Sequence, residues 1–359
     1  MAQHLHVHGT VLPGTEPVDL WIVDGVVTYE PVADATTLAR DAWILPGLVD
    51  AHCHIGLGVE GAVPDEVARE QAMADLAVGV MLVRDAGSPK DTRPFQQDPM
   101  MPRIIRSGRH VARSRRYIRN LATEVEPDAF PEQLRHEARS GDGWVKFVGD
   151  WIDRSVGDLA PSFPASAVRE AIAAAHEEGA RVTAHCFAEQ SVAEIIEAGA
   201  DCIEHGTGLD DEHIAMMAER GVALVPTLIN LARFTDYAAQ GEAKFPTYSA
   251  HMRDLHARRH ETIGKAVDAG VPVYAGTDAG TVIRHGRVLD EIDELATVGG
   301  PEFALGAASW RARTWLGADN LDEGASADLL VLSGDPREDL TVLREPQYRI
   351  LRGSVLHDV

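Results

Sequence analysis

Two histidines spaced two residues apart, His52 and His54, follow the apolar segment 44–49. In an extended strand this spacing places both imidazoles on one face of the sheet, with Cys53 on the other. Two neutral imidazoles that converge at a strand end form half of a Zn²⁺ or Mn²⁺ site. Histidines with the same spacing also occur near the N-terminus, so the pair alone does not establish a metal site.

Four more candidate ligands stand within or at the end of later apolar segments: Lys146, His185, His205 and Asp278. Each has an ordinary alternative on its own, as an ion-paired lysine, a core histidine or a turn aspartate. The carboxyl ends of parallel strands meet at one face of an α/β fold, so these side chains are expected to converge on the histidine pair. Together the six residues predict a metal site.

Composition limits the possible partners. The chain has 359 residues, 45% of them hydrophobic, and a net charge of −23, which argues against nucleic acid and anionic membranes. No apolar run approaches the roughly 20 residues of a membrane helix, and the N-terminus does not read as a signal peptide. Three cysteines form no disulfide framework, which predicts a reduced, cytoplasmic protein. The sequence leaves a homo-oligomer open.

The elements that must position the ligands alternate between strand and helix. Eight strand–helix units in residues 45–318 predict a metal-binding (β/α)8 TIM barrel, with the ligands at the carboxyl ends of its strands. Residues 1–44 and 319–359 read as short strands separated by turns, and they predict one small β-sandwich domain built from both ends of the chain. The histidines near the N-terminus fall in that domain, on a strand face expected to be solvated.

The ligand segments resemble the motifs of the amidohydrolase superfamily of metal-dependent hydrolases, and the resemblance covers nearly the whole chain. Pro46–His54 is similar to the first-strand signature, Val83–Gly87 to the second-strand motif and Ile203–Gly206 to the sixth. Gly276–Gly280 resembles the eighth-strand motif, and Ala327–Leu332 resembles the C-terminal strand of the small domain. The resemblance implies a barrel fold and hydrolytic chemistry.

Within that superfamily, a lysine in the fourth strand implies the binuclear branch, where CO2-derived carboxylation lets the lysine bridge two divalent ions. Zn²⁺ is the first choice and Mn²⁺ the second. The implied ligands are His52, His54 and Asp278 for one ion, His185 and His205 for the other, and Lys146 as the shared bridge.

The implied reaction is attack of a metal-bridging hydroxide on an amide carbonyl, with Asp278 as proton shuttle. The short interval between His185 and His205 looks most like that of prolidase-like members, which cleave dipeptides and N-acyl amino acids.

Substrate-binding candidates lie in loops after the strands. Seven arginines stand between Arg103 and Arg119 in this acidic chain, which favours capture of a small-molecule substrate that carries a carboxylate. The alternative is a loop held by salt bridges to acidic helices. The candidate substrate-binding residues are Arg109, His110, Tyr117, Trp151 and His285.

Two other functions remain open from the sequence. One is a mononuclear deaminase or an imidazolonepropionase-like cyclic amide hydrolase, in which Lys146 stays free. The other is a non-catalytic scaffold that kept the fold, although such proteins usually lack ligands and this chain lacks none. Metal counting separates the first alternative from the binuclear hydrolase.

Overall fold

Residues 4–357 are described by a computed structural model. The N-terminal strands are β1 (Leu5–Val11), β2 (Pro17–Val23), β3 (Val26–Thr28) and β4 (Thr36–Pro46). The central strands are β5 (Leu48–Cys53), β6 (Leu57–Gly58), β7 (Gly61–Ala62), β8 (Val80–Asp85), β9 (Arg103–Arg106), β10 (Val111–Arg113), β11 (Thr123–Val125), β12 (Trp144–Val148), β13 (Asp150–Asp153), β14 (Asp158–Pro161), β15 (Arg181–Cys186), β16 (Cys202–His205) and β17 (Ala223–Val225). The C-terminal strands are β18 (Leu329–Leu332), β19 (Tyr348–Leu351) and β20 (Ser354–Val355).

Helices fill most of the connections between the central strands. They are α1 (Asp65–Ala77), α2 (Arg93–Gln96), α3 (Phe130–Ser140), α4 (Ala165–Glu177), α5 (Glu189–Ala198), α6 (Asp211–Arg220), α7 (Leu228–Leu231), α8 (Phe234–Gly241), α9 (Pro246–Asp268), α10 (Val288–Gly299), α11 (Pro301–Ala308) and α12 (Trp310–Trp315). In the part of the chain that the structure describes, no helix is long and apolar enough to cross a membrane.

Strands from both ends of the chain pair in one seven-stranded sheet, in the order β20-β19-β18-β4-β1-β2-β3. The link between the two ends is the antiparallel pairing of β18 with β4, which places Leu329 opposite Pro46. His6 lies in this sheet, buried rather than solvated, and its Nε2 is 2.8 Å from Asp19 Oδ1. A second sandwich layer and the boundaries at residues 44/45 and 318/319 stay predictions.

Nine of the central strands run parallel in two sheets, β5-β8-β9 and β11-β10-β12-β15-β16-β17, and the others form two antiparallel hairpins, β6-β7 and β13-β14. The segment 272–279 lies between their ends, bridged to β17 at Leu224–Val273 and to β5 at Cys53–Ala279. The sequence predicted a regular strand here, but the structure gives isolated bridges. The predicted mixed α/β architecture is present, whereas closure into a complete barrel stays a prediction.

Sequence patterns explain why these elements pack as they do. Every residue of β12 is buried, as expected of a parallel strand covered on both faces. Helix α4 buries Val168, Ala171, Ile172 and Ala175, which recur at helical spacing and form one apolar stripe. Helix α6 begins after Asp210, whose carboxylate accepts a hydrogen bond from the His213 amide at 2.8 Å. Helix α4 packs against β15, and helix α3 packs against β12.

Two connections differ from the predicted pattern. The last strand–helix unit ends in two short helices, α11 and α12, instead of one, and they are separated at Ser309, whose φ of −141° and ψ of −108° are not helical. The Ser309 hydroxyl donates a hydrogen bond to the Pro46 carbonyl at 2.6 Å, so the break fixes the chain against the end of β4. Helices α7 and α8, after β17, are an insertion that the sequence pattern did not reveal.

Candidate metal centre

His52 and His54 extend from the end of β5 to the same side of the sheet, as the period of a strand requires. Their Nε2 atoms are 3.3 Å apart, and both side chains are buried. Asp278 Oδ1 lies 3.1 Å from His52 Nε2 and 3.2 Å from His54 Nε2. The three side chains therefore direct one ligand atom each to a common point.

The hydrogen bonds that the two histidines make through Nδ1 favour ring tautomers that suit a cation at this point. His54 Nδ1 donates to the Gly87 carbonyl at 2.6 Å, and His52 Nδ1 donates to Glu204 at 2.7 Å. In the neutral rings both Nε2 atoms then carry lone pairs, which face each other and the Asp278 carboxylate. Burial, with Lys146 nearby, lowers the pKa of His54 to about 4, which disfavours a proton there. A divalent ion with nitrogen and oxygen ligands suits this donor set.

Lys146 reaches the same point from β12. Its Nζ lies 2.8 Å from His52 Nε2, and the residue is 2% exposed. Burial lowers the pKa of the Lys146 amine, because water no longer solvates the ammonium form. A lysine must be neutral to react with CO2, so its position and its lowered pKa both suit the bridging role implied by the resemblance.

His185 and His205 form a second pair at the ends of β15 and β16. His185 Nδ1 is 2.9 Å from His205 Nε2, and His185 Nε2 is buried without a hydrogen-bond partner among the described residues. Burial lowers the pKa of His205 to about 3 and that of His185 well below its usual range. The His205 ring lies 5.3 Å from the His52 ring, so the two groups of candidate ligands lie next to each other.

Backbone geometry brings these side chains close together. His205 and Asp278 adopt φ values of +69° and +57°, a left-handed conformation that costs free energy outside glycine and is concentrated at functional sites. Gly276 packs against β5, where a Cβ would lie 2.6 Å from His52 Cβ. A side chain at position 276 would push the first histidine out of place.

A buried ion pair behind the site orients His52. Glu204, at 0% exposure, accepts a hydrogen bond from Arg84 Nη2 at 2.6 Å and another from the Thr183 hydroxyl. The Arg84 guanidinium also lies 4.6 Å from the Trp144 ring. Burial would raise the pKa of Glu204, but Arg84 and His52 hold it well below its usual range, so Glu204 is a carboxylate that can only accept from His52.

Glu204→Gln is expected to weaken metal binding about 10- to 100-fold. The amide oxygen of the new side chain would face Arg84, so its NH2 group would face His52 Nδ1 and force the proton onto Nε2. Chelator competition measures the affinity. Thr183→Val, which removes a different hydrogen bond to Glu204, is the matched control and should keep the affinity. Equal affinities in both variants would contradict the orienting role.

The insertion after β17 contributes two residues that sequence reasoning missed. Asn230 Nδ2 donates to Asp278 Oδ2 at 2.7 Å, and the Tyr237 hydroxyl donates to Asn230 Oδ1 at 3.0 Å. This chain of hydrogen bonds fixes the second carboxylate oxygen of Asp278 while Oδ1 faces the histidines. Neither residue belongs to a motif with a chemical signature, so no sequence signal could have found them.

A cavity of about 460 Å³ opens over the candidate ligands, which contribute His54, Lys146, His185 and Asp278 to its walls. The remaining walls are largely apolar and aromatic, formed by Tyr117, Trp151, Phe187, Tyr237, Phe245, Tyr248 and several aliphatic side chains. Both volume and lining are typical of a small-molecule site. We call this space the catalytic cavity.

The structure places the five substrate-binding candidates differently. Tyr117 and Trp151 line the catalytic cavity. His110 is buried beside His54, with the ring centroids 5.8 Å apart. Arg109 lines a neighbouring cavity instead and donates to the backbone carbonyls of residues 120 and 121. His285 packs below the site, where its Nδ1 is 2.7 Å from Asp75 Oδ2 near Cys53.

Comparisons with known proteins agree with this architecture. The chain is 54% identical over 354 residues to an uncharacterised protein of Mycobacterium tuberculosis, covering 98% of this chain and 95% of that one. It is 30% identical over 182 residues to the ochratoxinase of Aspergillus niger, covering 48% of this chain and 37% of that enzyme.

The solved structure of a Xaa-Pro dipeptidase with bound methionine in the active site has the same fold. Its TM-score is 0.80 at 22% identity, with 99% of this chain and 100% of that chain covered. The sequence model of the Amidohydrolase family matches residues 43–355, which is most of the chain. The chain belongs to the amidohydrolase family.

Proposed function

We propose that this protein is a metal-dependent hydrolase of amide bonds with a binuclear centre, acting on dipeptides or N-acyl amino acids. The observation that carries the proposal is the convergence of His52, His54, Lys146 and Asp278 at one wall of an aromatic cavity. Family membership and the prolidase-like structural relative support it. We further propose a β-sandwich for residues 1–44 and 319–359, a closed barrel for 45–318, and a cytoplasmic location.

Each of the six side chains has a role in this proposal. His52, His54 and Asp278 would hold one ion, His185 and His205 the other, and a carboxylated Lys146 would join them. Zn²⁺ is the first choice, with Mn²⁺ second. Bound divalent ions lower the pKa of water and polarise the amide carbonyl.

Asp278 supplies the proton transfers. The ordinary pKa of an aspartate carboxyl group, about 3.9, lies well below neutral pH, and a neighbouring divalent cation would favour the ionised form further. The group is therefore an ionised base at neutral pH. It would take a proton from water on one oxygen and return it to the leaving nitrogen, while Asn230 holds the other oxygen.

The lining of the catalytic cavity also suggests which chemical groups flank the scissile amide of the substrate. Aromatic and aliphatic walls favour a substrate with a bulky apolar group next to the scissile bond. Lys244 also lines the catalytic cavity, and it is an exposed cation that is not one of the proposed metal ligands. The sequence suggested Arg109 as the partner of a substrate carboxylate, but its guanidinium lies in the neighbouring cavity, so we propose Lys244 in that role.

A substrate panel tests the proposal. Metal-loaded protein is expected to hydrolyse N-acyl amino acids with aromatic groups faster than those with small groups. Lys244→Gln should raise KM for a free carboxylate about two- to fivefold, because an exposed ion pair contributes little, and should leave the matching carboxamide unchanged. Selective loss in Arg109→Gln would place the carboxylate in the neighbouring cavity. Absence of hydrolysis across the panel by metal-replete protein would contradict the proposed function.

A further inference from the structure

A second cavity, of about 500 Å³, adjoins the catalytic cavity and is lined by four arginines: Arg109, Arg115, Arg119 and Arg154. The first three belong to the segment after β9, and Arg154 lies in the turn between β13 and β14. Tyr117 lines both cavities, so the two spaces share a wall. We call this second space the arginine cavity.

The charges in this cavity are not neutralised as they are elsewhere in the same segment. Three of the seven arginines pair with aspartates and hold the loop, at distances of 3.3 Å for Arg103, 2.6 Å for Arg106 and 2.7 Å for Arg116. Arg109, by contrast, donates to backbone carbonyls of neighbouring residues. Some arginines of the segment therefore hold the loop in place, whereas others contribute positive charge to the arginine cavity.

Acidic partners are scarce in the arginine cavity. Across residues 4–357, no carboxylate lies within 4.0 Å of the guanidinium groups of Arg115, Arg119 or Arg154. Glu124 contributes a carboxylate to the lining, and it accepts a hydrogen bond from the Arg115 backbone amide at 3.1 Å. In a chain with 56 acidic and 33 basic residues, four arginines against one glutamate is a local reversal of charge.

We propose that the arginine cavity binds a small oxyanion that carries at least two negative charges. Planar guanidinium groups recognise carboxylate and phosphate oxygens through paired hydrogen bonds, and several of them facing one cavity match a multiply charged ligand. The positive cavity also offsets the repulsion between the acidic surface and an approaching anion. The anion is either an extension of the substrate that passes Tyr117 or a separate small molecule.

Binding of ethane-1,2-disulfonate to metal-loaded protein tests the proposal, since sulfonates are weak metal ligands and report on the arginines. Calorimetry should show saturable binding, weakened at least tenfold in Arg119→Gln/Arg154→Gln. Arg40→Gln/Arg169→Gln removes two exposed arginines elsewhere and is the matched control for charge. Lack of saturable binding by the unaltered protein, or equal affinity in both double variants, would overturn the proposal.

Kinetics then identify the source of the anion, once a substrate is in hand. If the disulfonate raises KM without changing kcat, an anionic part of the substrate occupies the arginine cavity. If the disulfonate changes kcat at saturating substrate, a separate anion binds in the arginine cavity. The calorimetric result needs no turnover, so it can fail or succeed independently of the proposed hydrolase activity.

Discussion

Lys146→Ala is expected to lose bound metal and amide hydrolysis together. The side chain lies 2.8 Å from His52 Nε2, and of the two lysines that line the catalytic cavity in the described chain, Lys146 is the one within hydrogen-bonding distance of a candidate ligand. Without an anionic bridge, two divalent ions a few ångströms apart repel each other strongly. Elemental analysis of the purified variant measures the metal, and the substrate panel measures the activity.

The control for this variant is Lys265→Ala, which removes a lysine paired on the surface with Asp211 and Glu261. It should retain both metal and activity. Small carboxylic acids should restore part of both properties to Lys146→Ala, since they can supply the missing oxygens. Full metal content with full activity in Lys146→Ala would rule out the bridging role.

Asp278→Asn is expected to lower kcat by about 1,000-fold or more while the protein stays folded. The substitution removes the proton acceptor and one ligand charge, and its side chain remains close to the native shape. Circular dichroism and the unfolding temperature check the fold, and initial rates under saturating metal give kcat. The expected loss lies in kcat more than in KM, because the base acts on the reacting atoms.

Asp211→Asn is the matched control for Asp278→Asn, since Asp211 is an exposed aspartate at the start of α6. It should leave the rate unchanged. A rate within tenfold of the unaltered protein in Asp278→Asn, measured with the metal site filled, would show that another group moves the proton.

The sequence predicted the convergence of ligands because that information is local. Side chains alternate along a strand with a period of two, which places His52 and His54 on one face. The sequence predicts His185, His205 and Asp278 at the carboxyl ends of parallel strands, and these ends meet at one edge of the sheet. The structure brings all of these side chains near Lys146, although their assignment as ligands stays a prediction.

The surroundings of the site were less predictable because they depend on packing between distant segments. Asn230 and Tyr237 reach Asp278 through an insertion with no distinguishing pattern. His285 follows the Asp278 segment closely, yet it turns away to pair with Asp75 on α1. The arginines read as one cluster in sequence, whereas the fold directs some to acidic partners and others to a separate cavity.

The number of divalent ions per active chain is the most direct test of the proposed binuclear centre. Metal-free protein would be titrated with Zn²⁺ while bound metal and amide hydrolysis are measured on the same samples, with His6→Ala as a control that should not change the count. If the centre is binuclear, activity reaches its maximum at two ions per chain. Full activity at one ion per chain would contradict the binuclear centre and favour a mononuclear enzyme in which Lys146 stays free.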